Sequence, residues 1–188
     1  GNEGIVKSLL RKNKDVDTPD NDGQTPLFVA AQEGNGGVVG LLVEAGASVD
    51  KADNQDITPL WVAAEEGHAD VVKFLIWKGA KVDTVTNTAQ PTPLFIAAEN
   101  GHENVVKILI DNGAKVNSDT YEEGATPLFI AAKNGYLETV KLLVNEACSN
   151  GMCGEVVMNL TSDGYTPLTI ANSNGHKEVV TYLERSKY

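Results

Sequence analysis

Thr92-Pro-Leu-Phe-Ile-Ala-Ala-Glu-Asn-Gly101-His-Glu-Asn-Val-Val-Lys-Ile-Leu-Ile-Asp-Asn-Gly113-Ala is the stretch whose reading decides the fold. A threonine followed by proline starts a helix, because the hydroxyl can cap the first turn and proline lacks an N–H that would be unbonded there anyway. Gly101 ends that short helix through the left-handed conformation open to glycine. Val105, Val106, Leu109 and Ile110 then follow the 3.6-residue period of a second, amphipathic helix closed by Gly113. The same pattern begins at Thr25, Thr58, Thr92, Thr126 and Thr166, at separations of 33, 34, 34 and 40 residues. A period of this length encodes stacked supersecondary units rather than one central core. The small alanines at Ala30 and Ala31 and their equivalents allow close helix approach, so each unit buries its face only against neighbours.

The 188 residues are 41% hydrophobic and carry a formal charge of -11, the composition of an acidic globular chain. No apolar run approaches the roughly 18 residues of a membrane span, and no secretory signal is legible. The negative charge argues against phosphate-backbone binding, so nucleic acid is not an expected partner. An intracellular, cytoplasmic monomer is expected. Only two cysteines occur, Cys148 and Cys153, which excludes a disulfide-dense miniprotein and a four-cysteine zinc site. Reduced thiols are expected, since a bridge across so short a loop removes little chain entropy.

The Thr-Pro-Leu-x-x-Ala-Ala-x-x-Gly-His core, followed by Val-Val-Lys-x-Leu-Leu-x-x-Gly-Ala-x-Val-Asp/Asn, resembles the ankyrin repeat family over practically the whole chain. The resemblance implies an all-α solenoid of helix-turn-helix units with β-hairpin-like finger loops. It divides the chain into an N-terminal half-repeat at 1–21, units at 22–54, 55–88, 89–122 and 123–162, and a C-terminal unit at 163–188. Residues 1–11 align with a second helix lacking its first, which reads as a fragment of a longer protein or as a native half-repeat cap. The fourth unit carries an insertion near 145–155, expected as a loop on one face.

Departures from the family pattern are informative. Phe28, Trp61, Phe95, Phe129 and Thr169 stand where the family most often has histidine. The column is either an aromatic binding ladder or apolar packing between units. Gly36, Gly37 and Gly40 interrupt the second helix of the first full unit, where each interior glycine costs about 1 kcal/mol relative to alanine. His68, His102 and His176 each follow a turn glycine, and that periodicity marks them as structural. No nucleophile elbow, phosphate loop, zinc-protease or dinucleotide motif is present, so no catalysis, cofactor or metal is expected. Asn159-Leu-Thr161 spells a glycosylation acceptor relevant only to a secreted chain, and Asn117 occupies a finger position that family members can present to an asparaginyl hydroxylase.

Charge placement carries the functional expectation. Fingers and first helices hold sixteen of the 26 acids and two of the 15 bases, whereas Lys7, Lys73, Lys107 and Lys141 recur at one second-helix position. In the ankyrin family the fingers and first helices form a concave surface that grips protein partners. Carried over position by position, its sites are Asp22, Gln24, Glu33, Asn54, Ile57, Glu65, Glu66, Thr88, Glu99, Asn100, Glu122, Glu123, Lys133, Asp163, Tyr165 and Ser173. Trp61, Phe95 and Phe129 stand among them as candidate apolar anchors. One-signed potential in a concave groove attracts an oppositely charged surface, so a basic protein or peptide is the expected partner. The alternatives are a structural spacer within a longer array and a targeting arm of a larger enzyme or effector.

Overall fold

The computed structural model describes residues 3–10, 15–84, 91–118 and 124–186. Among them are twelve helices and no strand. A lone helix α1 (Glu3–Leu10) is followed by the pairs α2 (Pro26–Gln32) with α3 (Gly36–Glu44), α4 (Pro59–Glu65) with α5 (Ala69–Trp77), and α6 (Pro93–Glu99) with α7 (Glu103–Asp111). Then come α8 (Pro127–Asn134) with α9 (Leu137–Ser149), the short α10 (Cys153–Val157), and α11 (Pro167–Ser173) with α12 (Lys177–Arg185).

Each first helix starts as its sequence dictates. The hydroxyl of Thr25, Thr58, Thr92, Thr126 or Thr166 accepts the backbone N–H three residues on, with proline at the first helical position. The first four of these threonines are buried, so their hydroxyls satisfy amides that water does not reach. Thr169 adds a second bond in the fifth unit, donating its hydroxyl to the Thr166 carbonyl and accepting the Thr166 N–H at 2.7 Å in a reciprocal cap.

First helices stack in the order α2, α4, α6, α8, α11, and second helices in the order α1, α3, α5, α7, α9, α12. The first-helix row is the tighter of the two, because paired alanines such as Ala63, Ala64, Ala97 and Ala98 are fully buried between neighbours. Closer spacing on one row bends the stack toward that row. The core is correspondingly continuous, running from Leu27 to Leu183 with Leu60, Leu94 and Leu128 fully buried at equivalent positions. It ends in a polar surface: Thr169 and Asn172 are exposed where the preceding units bury or half-bury an aromatic residue and bury an alanine.

The fingers are tight, hairpin-like turns without a strand ladder in the described residues, each closed by a backbone bond from Asp20 to Gln24 O, Asp53 to Ile57 O and Thr161 to Tyr165 O. Asp20 Oδ1 accepts the N–H groups of Asp22 and Gln24, and Asp53 Oδ1 accepts those of Gln55 and Ile57. These side-chain bonds reinforce the backbone bonds that close each turn.

Two sequence expectations about the insertion are corrected. It is helical: α9 runs for 13 residues where α7 has nine, and α10 adds a further turn. The apolar Leu143, Val144 and Ala147, then Val156 and Val157, keep the helical period through the extra length and bury it. The two cysteines are joined in a disulfide rather than reduced, since the tight turn between α9 and α10 brings their Cα atoms to 4.1 Å.

The second helix α3 has the least intrinsic support. A side chain built at Gly40 meets nothing within 4 Å, so Gly40→Ala removes the glycine penalty without strain. Gly46 also faces open space but has φ +96, which an alanine resists. Native-state hydrogen exchange is expected to show wild-type α3 opening more readily than α7. Gly40→Ala should raise α3 protection by about 1 kcal/mol, and Gly46→Ala should lower it.

Candidate functional site

The first-helix row ends, unit by unit, in the residues expected to meet a partner. Glu33 caps α2 at its C-terminus, Glu65 closes α4 with Glu66 as its cap, and Glu99 closes α6 with Asn100 as its cap. The fourth unit changes sign, with Lys133 exposed in the last turn of α8. A helix C-terminus carries partial negative charge on its free carbonyls, so a carboxylate there is disfavoured and a cation favoured. Three consecutive units therefore place acids against the helix dipole.

Turn geometry fixes the spacing of these ends. The imidazole Nε2 of His68 lies 2.9 Å from the carbonyl of Gln32, that of His102 2.8 Å from Glu65, and that of His176 2.9 Å from Lys133. A carbonyl only accepts, so Nε2 carries the proton in each case. The ring sits beneath the preceding unit's turn glycine: a side chain at Gly34 or Gly67 would stand 2.6 Å from it, and both glycines have positive φ. Tyr136 takes the same seat under Gly101. Side-chain amides reinforce the joint, with Asn134 donating to Glu99 O and Asn174 to Lys133 O, each at 2.8 Å. The three histidines are thus ties between units, and no group of three His, Cys, Asp or Glu residues able to hold a metal occurs among the described residues.

The structure distributes the remaining expected site residues unevenly. Asp22, Asn54, Asp163, Ser173 and Tyr165 are exposed, and Gln24 is half-buried. Asn54 is already engaged, its N–H donating to Asp22 O and its amide to Asn21 O. Asn100 likewise donates its amide to Glu65 O and Ile96 O. Ile57, expected on the surface, is only 8% exposed: its side chain turns into the core beneath the Asp53 turn. Phe95 is also only 8% exposed and Phe28 is buried, while Trp61 and Phe129 are half-buried. Trp61 donates its indole N–H to Pro91 O at 2.8 Å, tying the second unit to the third. As anchors for a partner, Ile57 and Phe95 have almost no surface to offer. Thr88, Glu122 and Glu123 lie outside the described residues.

Ties that the sequence reading missed recur with the repeat. Asp17 accepts from the N–H and hydroxyl of Ser48, Asp50 from the N–H of Lys81, and Asp83 from that of Lys115. Their 33-residue spacing was the available signal. Asn117 stands at the next equivalent position, its amide 3.8 Å from the Met152 sulfur. Asn159 of the glycosylation motif is half-buried, and the motif's Thr161 is buried with its hydroxyl accepting the Tyr165 N–H. On the second-helix row the repeated lysines are solvent-facing, and Lys7 and Lys141 pair along their own helices with Glu3 and Glu138. Exposed pairs of this kind contribute little to stability.

A linear stack of helix pairs, tied by turn histidines and presenting variable polar ends along one row, defines a repeat solenoid. The family model of ankyrin repeats matches it in three copies, over residues 1–86, 78–153 and 94–187, and the chain belongs to that family. No curated protein matches the chain. Ankyrin repeats are generally non-catalytic protein-protein interaction modules. No described helix is long and apolar enough to cross a membrane.

Among the acids, Glu65 is electrostatically distinct. Burial, and then the charges of Glu66 and Glu99, hold its carboxyl above the ordinary carboxylate value. The folded chain therefore binds this proton more readily than the unfolded chain does. Its favourable contribution is complete below the unfolded pKa and is lost as pH rises through the raised folded value. Glu65→Gln keeps the backbone carbonyl that accepts from His102 and removes the charge. It should stabilise the protein at pH 7, with the gain vanishing below about pH 4; paired denaturation curves at the two pH values check this.

Proposed function

We propose that the chain is a protein-interaction module that grips a basic segment of a partner protein along the fingers and the C-terminal ends of the first helices. The observation that carries this reading is the run Glu33, Glu65, Glu66 and Glu99, placed on three consecutive units where the helix dipole disfavours it. Stability alone would favour lysine there, as Lys133 has in the fourth unit. The raised pKa of Glu65 points the same way, because a partner cation would relieve the crowding of Glu65, Glu66 and Glu99.

The arrangement also sets a polarity for the bound segment. Its cations lie along the first three units, and its neutral or acidic end faces Lys133. Beyond Lys133 the exposed Tyr165 offers a ring face. Aromatic side chains at interfaces bury much apolar area at low conformational cost, so Tyr165 is the better-placed anchor than Phe95. The steering is electrostatic, so binding weakens as salt screens it.

Capture of partners on immobilised protein tests the reading. Wild type should retain a basic protein that raised salt releases. A Glu65→Lys, Glu66→Lys, Glu99→Lys variant should lose it, whereas reversal of Asp70 and Glu103 on the second-helix row should not. Equal retention by both variants would overturn the acidic-row assignment.

A further inference from the structure

The loops that follow the second helices are tied in series, each aspartate accepting from the loop of the next unit: Asp17 from Ser48, Asp50 from Lys81, Asp83 from Lys115. The series changes character at the insertion. Gly151 has φ +75 and Met152 donates its N–H to Ala147 O, as Gly113 has φ +87 and Ala114 donates to Leu109 O. Cys153 therefore stands where Ser48, Lys81 and Lys115 stand. The preceding loop offers Asn117 in place of an aspartate, with its amide 3.8 Å from the Met152 sulfur. Two residues beyond Cys153, where a tie to the fifth unit would begin, Glu155 is exposed within α10. The contact toward the fifth unit is made instead by Cys153 itself, whose Sγ lies 3.8 Å from the carbonyl of Ser186, the C-cap of α12.

The bridge from Cys148 to Cys153 spans a sequence separation of only 5. So short a loop constrains the unfolded chain less than a long-range bridge would. The insertion also has anchors of its own, since Val144, Ala147, Val156 and Val157 are buried. The bridge is thus poorly placed as a staple for the whole stack. It is well placed for exchange, because Cys148 is exposed on the last turn of α9 while Cys153 is half-buried. In the bridged state the Cys153 sulfur carries no proton and gives the Ser186 carbonyl nothing to accept. Reduction supplies an S–H, a weak donor already within reach of that carbonyl.

We infer that Cys148 and Cys153 form a thiol–disulfide exchange site that hands Cys153 from α9 to α12, so that the redox state of the pair sets how firmly the fifth unit is held. Its co-reactant is a dithiol. One thiolate of the dithiol attacks the exposed Cys148 Sγ, the bond between the two cysteine sulfurs breaks, and Cys153 leaves as a thiolate that takes up a proton. The second thiolate then attacks the sulfur of its own partner in the mixed disulfide. Cys148 is released and protonated, the dithiol becomes a disulfide, and two electrons have passed to the pair. Oxidised, Cys153 is bonded to α9; reduced, it donates to the cap of α12. The two states thus differ in a named contact at each end of the exchange, which is what a switch between them requires. This site is independent of the acidic row proposed above.

Hydrogen exchange on the full chain tests it, with glutathione disulfide and dithiothreitol setting the two states and alkylation counting the free thiols. Reduction should lower the protection of α10 by about tenfold and raise that of the last turn of α12 by about twofold, the size of a weak S–H···O bond. The helices α2 to α7 should be unchanged. Cys148→Ser, which keeps the donor, should match the reduced wild type at α12. Cys148→Ser with Cys153→Ala, which removes it, should lose the gain at α12, and Cys148→Ser with Cys153→Ser should restore it through a hydroxyl. Circular dichroism checks that each variant is folded. Equal protection of α12 in the oxidised, reduced and Cys153→Ala states would overturn the inference, as would loss of protection in every unit on reduction. Failure of the folded chain to form the bridge with glutathione disulfide would overturn it too.

Discussion

The structure depends on a joint repeated along the stack: a turn histidine, His68, His102 or His176, donates Nε2–H to a carbonyl at the C-terminal end of the preceding first helix, with its ring under that unit's turn glycine, and Tyr136 takes the same seat under Gly101. A unit of two short helices cannot bury enough surface to stand alone. Its core is made only when the neighbour arrives, and the joint sets how near and at what angle it arrives. The glycine meets two demands at once. Positive φ ends the helix, and the missing side chain admits the ring. Neither demand could be met by alanine at Gly34 or Gly67.

From that joint the rest follows in order. Threonine caps fix where each first helix starts, and the glycine fixes where it stops, so all first helices have nearly equal length. Equal lengths align their C-terminal ends into one row. Alanine pairs then draw the row together, leaving those ends as the part of the surface where sequence varies freely. The same constraint that makes the fold regular therefore leaves these exposed ends free to vary. Acids on three consecutive ends oppose the helix dipoles, a local conflict that is tolerated because stacking, not each helix, carries the stability.

The fold was largely legible because its signals recur with the repeat. Threonine before proline, glycine nine residues on and the valine-leucine stripe after it each appear in every full unit or nearly so, and the structure places them as caps, turns and core. Histidine periodicity marked His68, His102 and His176 as structural, and each bonds a carbonyl of the preceding unit. What failed were residues whose environment is set by a neighbouring unit. Ile57 occupies a variable position that holds Gln24 in the first full unit and Tyr165 in the last, and only packing decides that the isoleucine turns inward. The aromatic column was ambiguous for the same reason: burial of Phe28 and Phe95 and the bond from Trp61 to Pro91 exist only between units. The insertion misled because Asn145 to Gly154 reads as polar and glycine-bearing, while the buried Ala147, Val156 and Val157 that hold it helical are few. The disulfide could not be read from a spacing of five, since closure depends on the turn between two helices that the spacing does not specify.

The central claim, that the units are joined through glycine and histidine rather than folded one by one, is tested most directly by Gly67→Ala read with residue-resolved hydrogen exchange. An added side chain at Gly67 strains its backbone and meets the His102 ring at once. The account predicts that α4 and α6 lose protection together, as one opening of the joint between the second and third units, while α11 and α12 keep theirs. Loss confined to the turn between α4 and α5, with α6 unchanged, would contradict it.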